Sequence, residues 1–161
     1  SALQMEYSLT ERNIENEYID LGQQTGMGVM VWSPLASGLL SGKYKPSESE
    51  VKGEGRLASI ANSGNPDFDK FTDKNWEIVK AFEEVSKEVD QPMAAVAINW
   101  VANRPGVSSV ILCATKLNQL EQTVGALDFN IPQELANKLD EVSKPTSSFL
   151  IRFLPRGYNP C

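Results

Sequence analysis

The stretch GVMVWSPLASGLLSGKY, from Gly28 to Tyr44, carries the residues most suited to ligand chemistry in this sequence. Four apolar residues lead to Trp32; Ser33-Pro34 and a string of small residues follow, with Lys43 near the end. A buried-looking strand thus stops at a broad aromatic side chain and passes at once to a segment of little bulk. Other chemistries are excluded by composition. Histidine is absent from all 161 residues, which removes the commonest general base and the Ser–His and Cys–His nucleophile pairings. The two cysteines, Cys113 and Cys161, make no metal-like spacing, and no disulfide framework is expected.

The elements that must position these residues follow from pattern. LQMEYS, Leu3 to Ser8, alternates apolar and polar side chains as a half-buried strand does. Asn13 is expected to cap a helix with Ile14, Tyr18 and Leu21 on its apolar face, and Gly26 to end it. Val29 to Trp32 reads as a strand buried on both faces, giving a βαβ unit and its loop over 3–44. Residues 45–72 lack periodicity and read as a long loop. Over 73–144, Asp73 is expected to cap a helix with Ile78, Phe82, Val85 and Val89 on one face. A second, alanine-rich helix follows Pro92. Gly106 leads into a short buried strand, Ser108 to Leu112; Leu117, Leu120 and Val124 mark the next helix, and Leu135, Leu139 and Val142 the last. The tail, 145–161, is expected to lie on the surface. The order β-α-β-loop-α-α-β-α-α predicts an α/β fold with three parallel strands and flanking helices. It is either a small open sheet or the back portion of a (β/α)₈ barrel, which needs about 250 residues. Strand pattern as early as Leu3 favours the second.

The charge of −6 and the lack of a basic block argue against a nucleic-acid partner. No apolar run is long enough to cross a bilayer, so no membrane insertion is expected and cytoplasmic residence is the expected location.

On LQMEYSLTERNIE, VMVWSPLASGLLSGKY and PGVSSVILCATKLNQLEQTVGALDF, the chain resembles the aldo-keto reductase family over Leu3 to about Ser143. The resemblance implies the sixth to eighth strands of a TIM barrel and NADP as cofactor. It implies that Gln4 hydrogen-bonds the nicotinamide carboxamide and that the nicotinamide stacks on Trp32. Ser33, Pro34, Leu35, Ser37 and Lys43 match the loop along the pyrophosphate, where small residues admit backbone N–H groups to phosphate oxygens. Arg56 matches a basic residue that some members fold over the cofactor. Thr115, Lys116 and Gln119 fall where the family grips the adenosine 2′-phosphate, at a helix N-terminus.

The sequence also departs from the family pattern. Cys113 replaces a usual glycine and is read as a half-buried, inert thiol. Gln122-Thr123 replaces the Glu-Asn pair that holds adenine. The tetrad of Tyr, Lys, Asp and His belongs to earlier strands, so no catalytic residue is assigned; Tyr7, Tyr18 and Tyr44 lie at the wrong motif positions for the proton donor. The resemblance therefore implies the cofactor side of an oxidoreductase acting on a small carbonyl substrate in a longer parent, this chain alone being inactive. Trp-Ser-Pro-Leu also suits a regulatory module similar to potassium-channel β-subunits. Read as a fragment, the chain would pair its open edges with the missing N-terminal half; read as a complete half-barrel, it would pair them with another copy of itself.

Overall fold

The computed structural model of the chain describes residues 1–45, 57 and 70–145. Three strands, β1 (Ala2–Glu6), β2 (Gly28–Trp32) and β3 (Val107–Val110), form a parallel sheet in the order β1-β2-β3. Five α-helices whose bounds lie among the described residues accompany them: α1 (Tyr18–Thr25), α2 (Asp73–Val89), α3 (Met93–Ala102), α4 (Leu117–Val124) and α5 (Gln133–Val142). Single-turn 3₁₀ segments at Asn13–Asn16 and Gly125–Leu127, and a kinked one at Ala36–Ser41, complete the described elements.

Consecutive parallel strands joined by right-handed crossovers place their helices on the same side of the sheet. The covered side carries Leu3 and Met5 of β1, Val29 and Val31 of β2, and Val107 and Val110 of β3, in contact with Phe82, Val85, Trp100, Val101 and Leu139 of the helices. Leu57 also enters this core. Each fully buried aliphatic side chain here is worth about 1.5–3 kcal/mol relative to exposure. α5 lies against α2, and α3 against β3. The opposite side of the sheet is open: Gln4, Trp32 and Ser109 are exposed and Met30 is half-buried. β2 is therefore buried on one face only, which corrects the expectation of two.

Other expectations shift for local reasons. Asn13 caps nothing, because it lies inside the 3₁₀ turn that precedes α1. Of its predicted apolar face only Ile14 is buried; Tyr18 and Leu21 are exposed. Gly26 does end the helix, in the left-handed conformation (φ 68°). The cap of α2 is Thr72, whose hydroxyl accepts the Asn75 N–H at 3.2 Å, and not Asp73, the first helical residue. The third strand begins one residue early and ends at Val110, leaving Ile111 and Leu112 exposed rather than buried. In α4, Leu117, Leu120 and Val124 face solvent, while Thr123 and the following Ala126 are the buried contacts. The helical spacing of Leu117, Leu120 and Val124, three and then four residues apart, marks a helix that is present, but its apolar stripe is uncovered. No helix among the described residues is long and apolar enough to cross a membrane.

Candidate functional site

Strand alternation sets the first part of the site. In parallel register Gln4 lies opposite Met30 and Glu6 opposite Trp32, so all four side chains share the open face. The spacings between and along strands put Gln4 and Trp32 about 8 Å apart on the diagonal. Trp32 is 39% exposed, a large figure for a tryptophan at the end of a central strand. Its ring offers a free π-face, and the amide of Gln4 offers a donor and an acceptor beside it.

The chain then turns sharply. Ser33, Ala36 and Ser37 all adopt positive φ (58°, 48° and 57°), a left-handed region that residues with a Cβ seldom enter, and Gly38 follows at 97°. Each such residue costs on the order of 1 kcal/mol or more, and clusters of this kind concentrate at active sites and ligand clamps. Leu35 (φ −95°, ψ 9°) immediately precedes the left-handed Ala36, so the chain reverses sharply there. Several loop groups are held by the loop itself: Ala36 N–H donates to Ser33 O at 2.9 Å, Gly38 N–H to Leu35 O at 2.9 Å, and Ser37 N–H to Ser33 Oγ at 3.3 Å. Pro34 is buried and fixes the turn; Ser33, Leu35 and Ser37 are half-buried. Lys43 is exposed and folds back, its ammonium 4.9 Å from the centre of the Tyr44 ring. A Cβ on Gly38 would lie 2.9 Å from both Cε and Nζ of Lys43, so the missing side chain is what lets the lysine lie across the loop.

The second group lies beyond β3. Thr115, Lys116, Gln119 and Gln122 are exposed. Lys116 occupies the cap position of α4 without a side-chain cap, and the side-chain Oε1 of Gln119 accepts from Thr115 N–H (3.1 Å) and from the Thr115 hydroxyl (3.2 Å). This closes the start of the helix while leaving the Lys116 charge in solvent. Thr123 differs from its neighbours: it is buried and its hydroxyl donates to Leu120 O at 2.9 Å. Cys113 is exposed, which corrects the half-buried reading. Arg56 lies outside the described residues.

Three features were missed in the sequence. A charged network binds the loop after β1 to α3 and α5: Arg12 pairs with Glu15 (2.7 Å) and donates to Asp140 O and Ser143 Oγ, while Arg104 grips both Asp140 oxygens (2.9 and 2.8 Å). Tyr7 donates to Glu15 and accepts from Arg104 at 3.1 Å, and both guanidiniums lie over the Trp100 ring. Burial, reinforced by the Glu15 hydrogen bond, raises the Tyr7 hydroxyl far above its ordinary value. Arg12 and Glu15 stand three apart, a visible signal; Arg104 and Asp140 have no local one. The second feature is the ion pair of Glu6 with Lys70 (3.2 Å), of which alternation along β1 could have revealed only the Glu6 half. The third is Asn99, buried in α3, whose amide donates to Ala126 O (2.8 Å) and Phe129 O (2.7 Å) and so fixes the chain after α4.

Taken together, an open aromatic face with an amide beside it, a strained small-residue loop and an exposed lysine at a helix start can hold a flat ring at one end and anionic groups further on. Comparison with known proteins gives this arrangement a context. The Aldo/keto reductase family model matches residues 1–144. The chain is 37% identical over 148 residues to a "Probable voltage-gated potassium channel subunit beta" of Oryza sativa subsp. japonica, covering 88% of this chain and 44% of that protein. It is 30% identical over 139 residues to the "Uncharacterized oxidoreductase YrpG" of Bacillus subtilis (86% and 39%), and 31% identical over 129 residues to an "L-glyceraldehyde 3-phosphate reductase" of Escherichia coli (78% and 36%). The chain thus spans less than half the length of these relatives.

Proposed function

The chain belongs to the aldo/keto reductase family, and on that premise we propose that it supplies the cofactor-holding side of an NADP-dependent oxidoreductase that reduces a small carbonyl to an alcohol. The observation that carries the reading is the exposed Trp32 ring beside Gln4 on one open sheet face, followed directly by a loop with three left-handed residues that are not glycine. Bound NADPH supplies the hydride. The work of this chain is to hold and orient it: Trp32 keeps the ring flat, Gln4 fixes its rotation through the carboxamide, and residues 33–37 with Lys43 follow the pyrophosphate. Lys116, with Thr115, Gln119 and Gln122 around it, takes the 2′-phosphate and adenosine. Thr123, whose hydroxyl is engaged by Leu120 O, would contribute after a change of partner, and Arg56 would add a cation.

The three strands are read as the sixth to eighth of a (β/α)₈ barrel, in keeping with the share of each relative that the chain covers. The proton-donating tyrosine and its Lys, Asp and His partners then lie outside these 161 residues, and the chain alone holds nucleotide without turning over a carbonyl. Either the remaining strands or another copy of the chain would cover the edges of β1 and β3.

Calorimetric titration with NADPH and NADH tests this. Saturable binding of NADPH, at least about tenfold tighter than NADH, is expected from a site with a phosphate-facing lysine; binding of neither would overturn the reading. A second reading, a regulatory module that binds nucleotide without reducing a carbonyl, is favoured by the likeness to the rice channel β-subunit. Carbonyl-dependent NADPH oxidation by the longest form of the protein would count against it. Nucleotide binding without oxidation, together with co-purification of a membrane protein, would count for it.

A further inference from the structure

The open face of the sheet carries one charge that the proposed cofactor site does not use. Glu6 is the register partner of Trp32, and neighbouring strands lie about 4.8 Å apart, so the two residues stand side by side on the same face. The side chain of Glu6 is only 25% exposed, and its partner, the Lys70 ammonium at 3.2 Å, belongs to a side chain 12% exposed. The pair is held from both ends. Glu6 is fixed by the β1 ladder. Lys70 is fixed through its carbonyl, which accepts from Asn75 Nδ2 at 2.9 Å, and Asn75 is itself tied to the Thr72 cap of α2. The next residue, Phe71, packs edge-on to Tyr44 and stacks on Trp76, both at 5.6 Å between ring centres. The backbone of Lys70 is thus anchored on both sides, which keeps its ammonium within reach of Glu6. Both side chains are only partly exposed, so their charges are screened less than those of fully exposed groups but still feel added salt, and what matters to a neighbouring ligand is their sum.

We propose that Lys70 cancels the Glu6 charge beside the ring-stacking face and thereby sets which oxidation state of the nicotinamide the site prefers. The inference rests on the cofactor reading above. The oxidised nicotinamide ring is cationic and the reduced ring neutral, so an uncompensated carboxylate beside the ring favours the oxidised form, an uncompensated ammonium disfavours it, and the paired site treats the two more evenly. Neither residue needs to touch the reacting atoms; they act through the local field.

The test compares Kd for NADPH and NADP⁺ by calorimetry in the unaltered chain, Lys70→Met, Glu6→Gln and the double variant, at low and high salt. Lys70→Met is expected to shift the ratio about fivefold toward NADP⁺, a shift that shrinks as salt rises, as for a unit charge acting at close range. Glu6→Gln should shift the ratio the opposite way, and the double variant should restore it. A tether without an electrostatic role would weaken both forms equally in all three variants, and a ratio that is unchanged in both single variants overturns the inference. Should Lys70→Met fail to fold, the opposite shift in Glu6→Gln decides. If the unaltered chain binds neither nucleotide, the cofactor reading falls and takes this inference with it. If it binds both and no ratio moves, only the inference falls.

Discussion

At the scale of single residues, Tyr7 and Gly38 give the sharpest consequences. Burial first, then the hydrogen bond to Glu15, hold the Tyr7 hydroxyl protonated well above the ordinary tyrosine value of about 10. Its neutral form adds stability that is complete below about pH 10 and is lost as pH rises through the folded-state value, because the unfolded chain then binds fewer protons than the native one. The urea midpoint should fall more steeply between about pH 9.5 and 11.5 in the unaltered chain than in Tyr7→Phe; equal slopes would remove Tyr7 from the alkaline transition. Gly38 is held at φ 97° under the tail of Lys43. Gly38→Ala is expected to cost about 1 kcal/mol of stability for the left-handed backbone and to displace Lys43, which weakens NADPH binding beyond what the stability loss explains. Chemical denaturation and calorimetry measure the two effects separately. The residues that carry the site were legible because their types are unusual for their places: a tryptophan at a strand end, small residues after it, a lysine at a helix start. Lys70 and Asp140 were not legible, since what makes them matter is a partner 64 or 36 residues away.

At the scale of elements, the position of α4 depends on Asn99. Its buried amide satisfies two carbonyls of the segment that joins α4 to α5, and Asn99→Ala leaves both without their donor. Thermal or urea unfolding should show a loss of about 2–3 kcal/mol, whereas a loss under about 0.5 kcal/mol would mean that another donor replaces it. The order and type of the helices and strands followed from periodicity, and α2 from its run of Ile78, Phe82, Val85 and Val89, three of them buried. Periodicity fails where it must say which side is covered. The stripe Leu117, Leu120 and Val124 reads as a buried face and is 72%, 45% and 61% exposed, because nothing among the described residues packs on that side. The same holds for β2: an apolar run of four says nothing about whether helices lie on one face of the sheet or both. Helix starts fail for a subtler reason. Thr72 and Asp73 are both good caps by type, and the choice between them is made by which one reaches the Asn75 amide.

At the scale of the whole molecule, a sheet covered on one face, with β1 and β3 as edges and an apolar stripe on α4, leaves a large surface uncovered by the described residues. The chain in isolation should associate as concentration rises. The variant Leu117→Ser with Val124→Ser should reduce that association in sedimentation velocity while moving stability by less than about 0.5 kcal/mol, as expected for side chains already in solvent. Unchanged association would point to the strand edges instead. The central claim concerns the open face itself, and tryptophan emission reads it directly. Trp100 is buried under two guanidiniums and Trp76 is stacked on Phe71, which leaves Trp32 as the ring positioned to meet a nicotinamide. Titration of the chain with NADPH should give saturable quenching that is lost in Trp32→Ala, with the far-ultraviolet circular dichroism of the variant unchanged. Quenching that survives in Trp32→Ala, or its absence from the unaltered chain, would contradict the account.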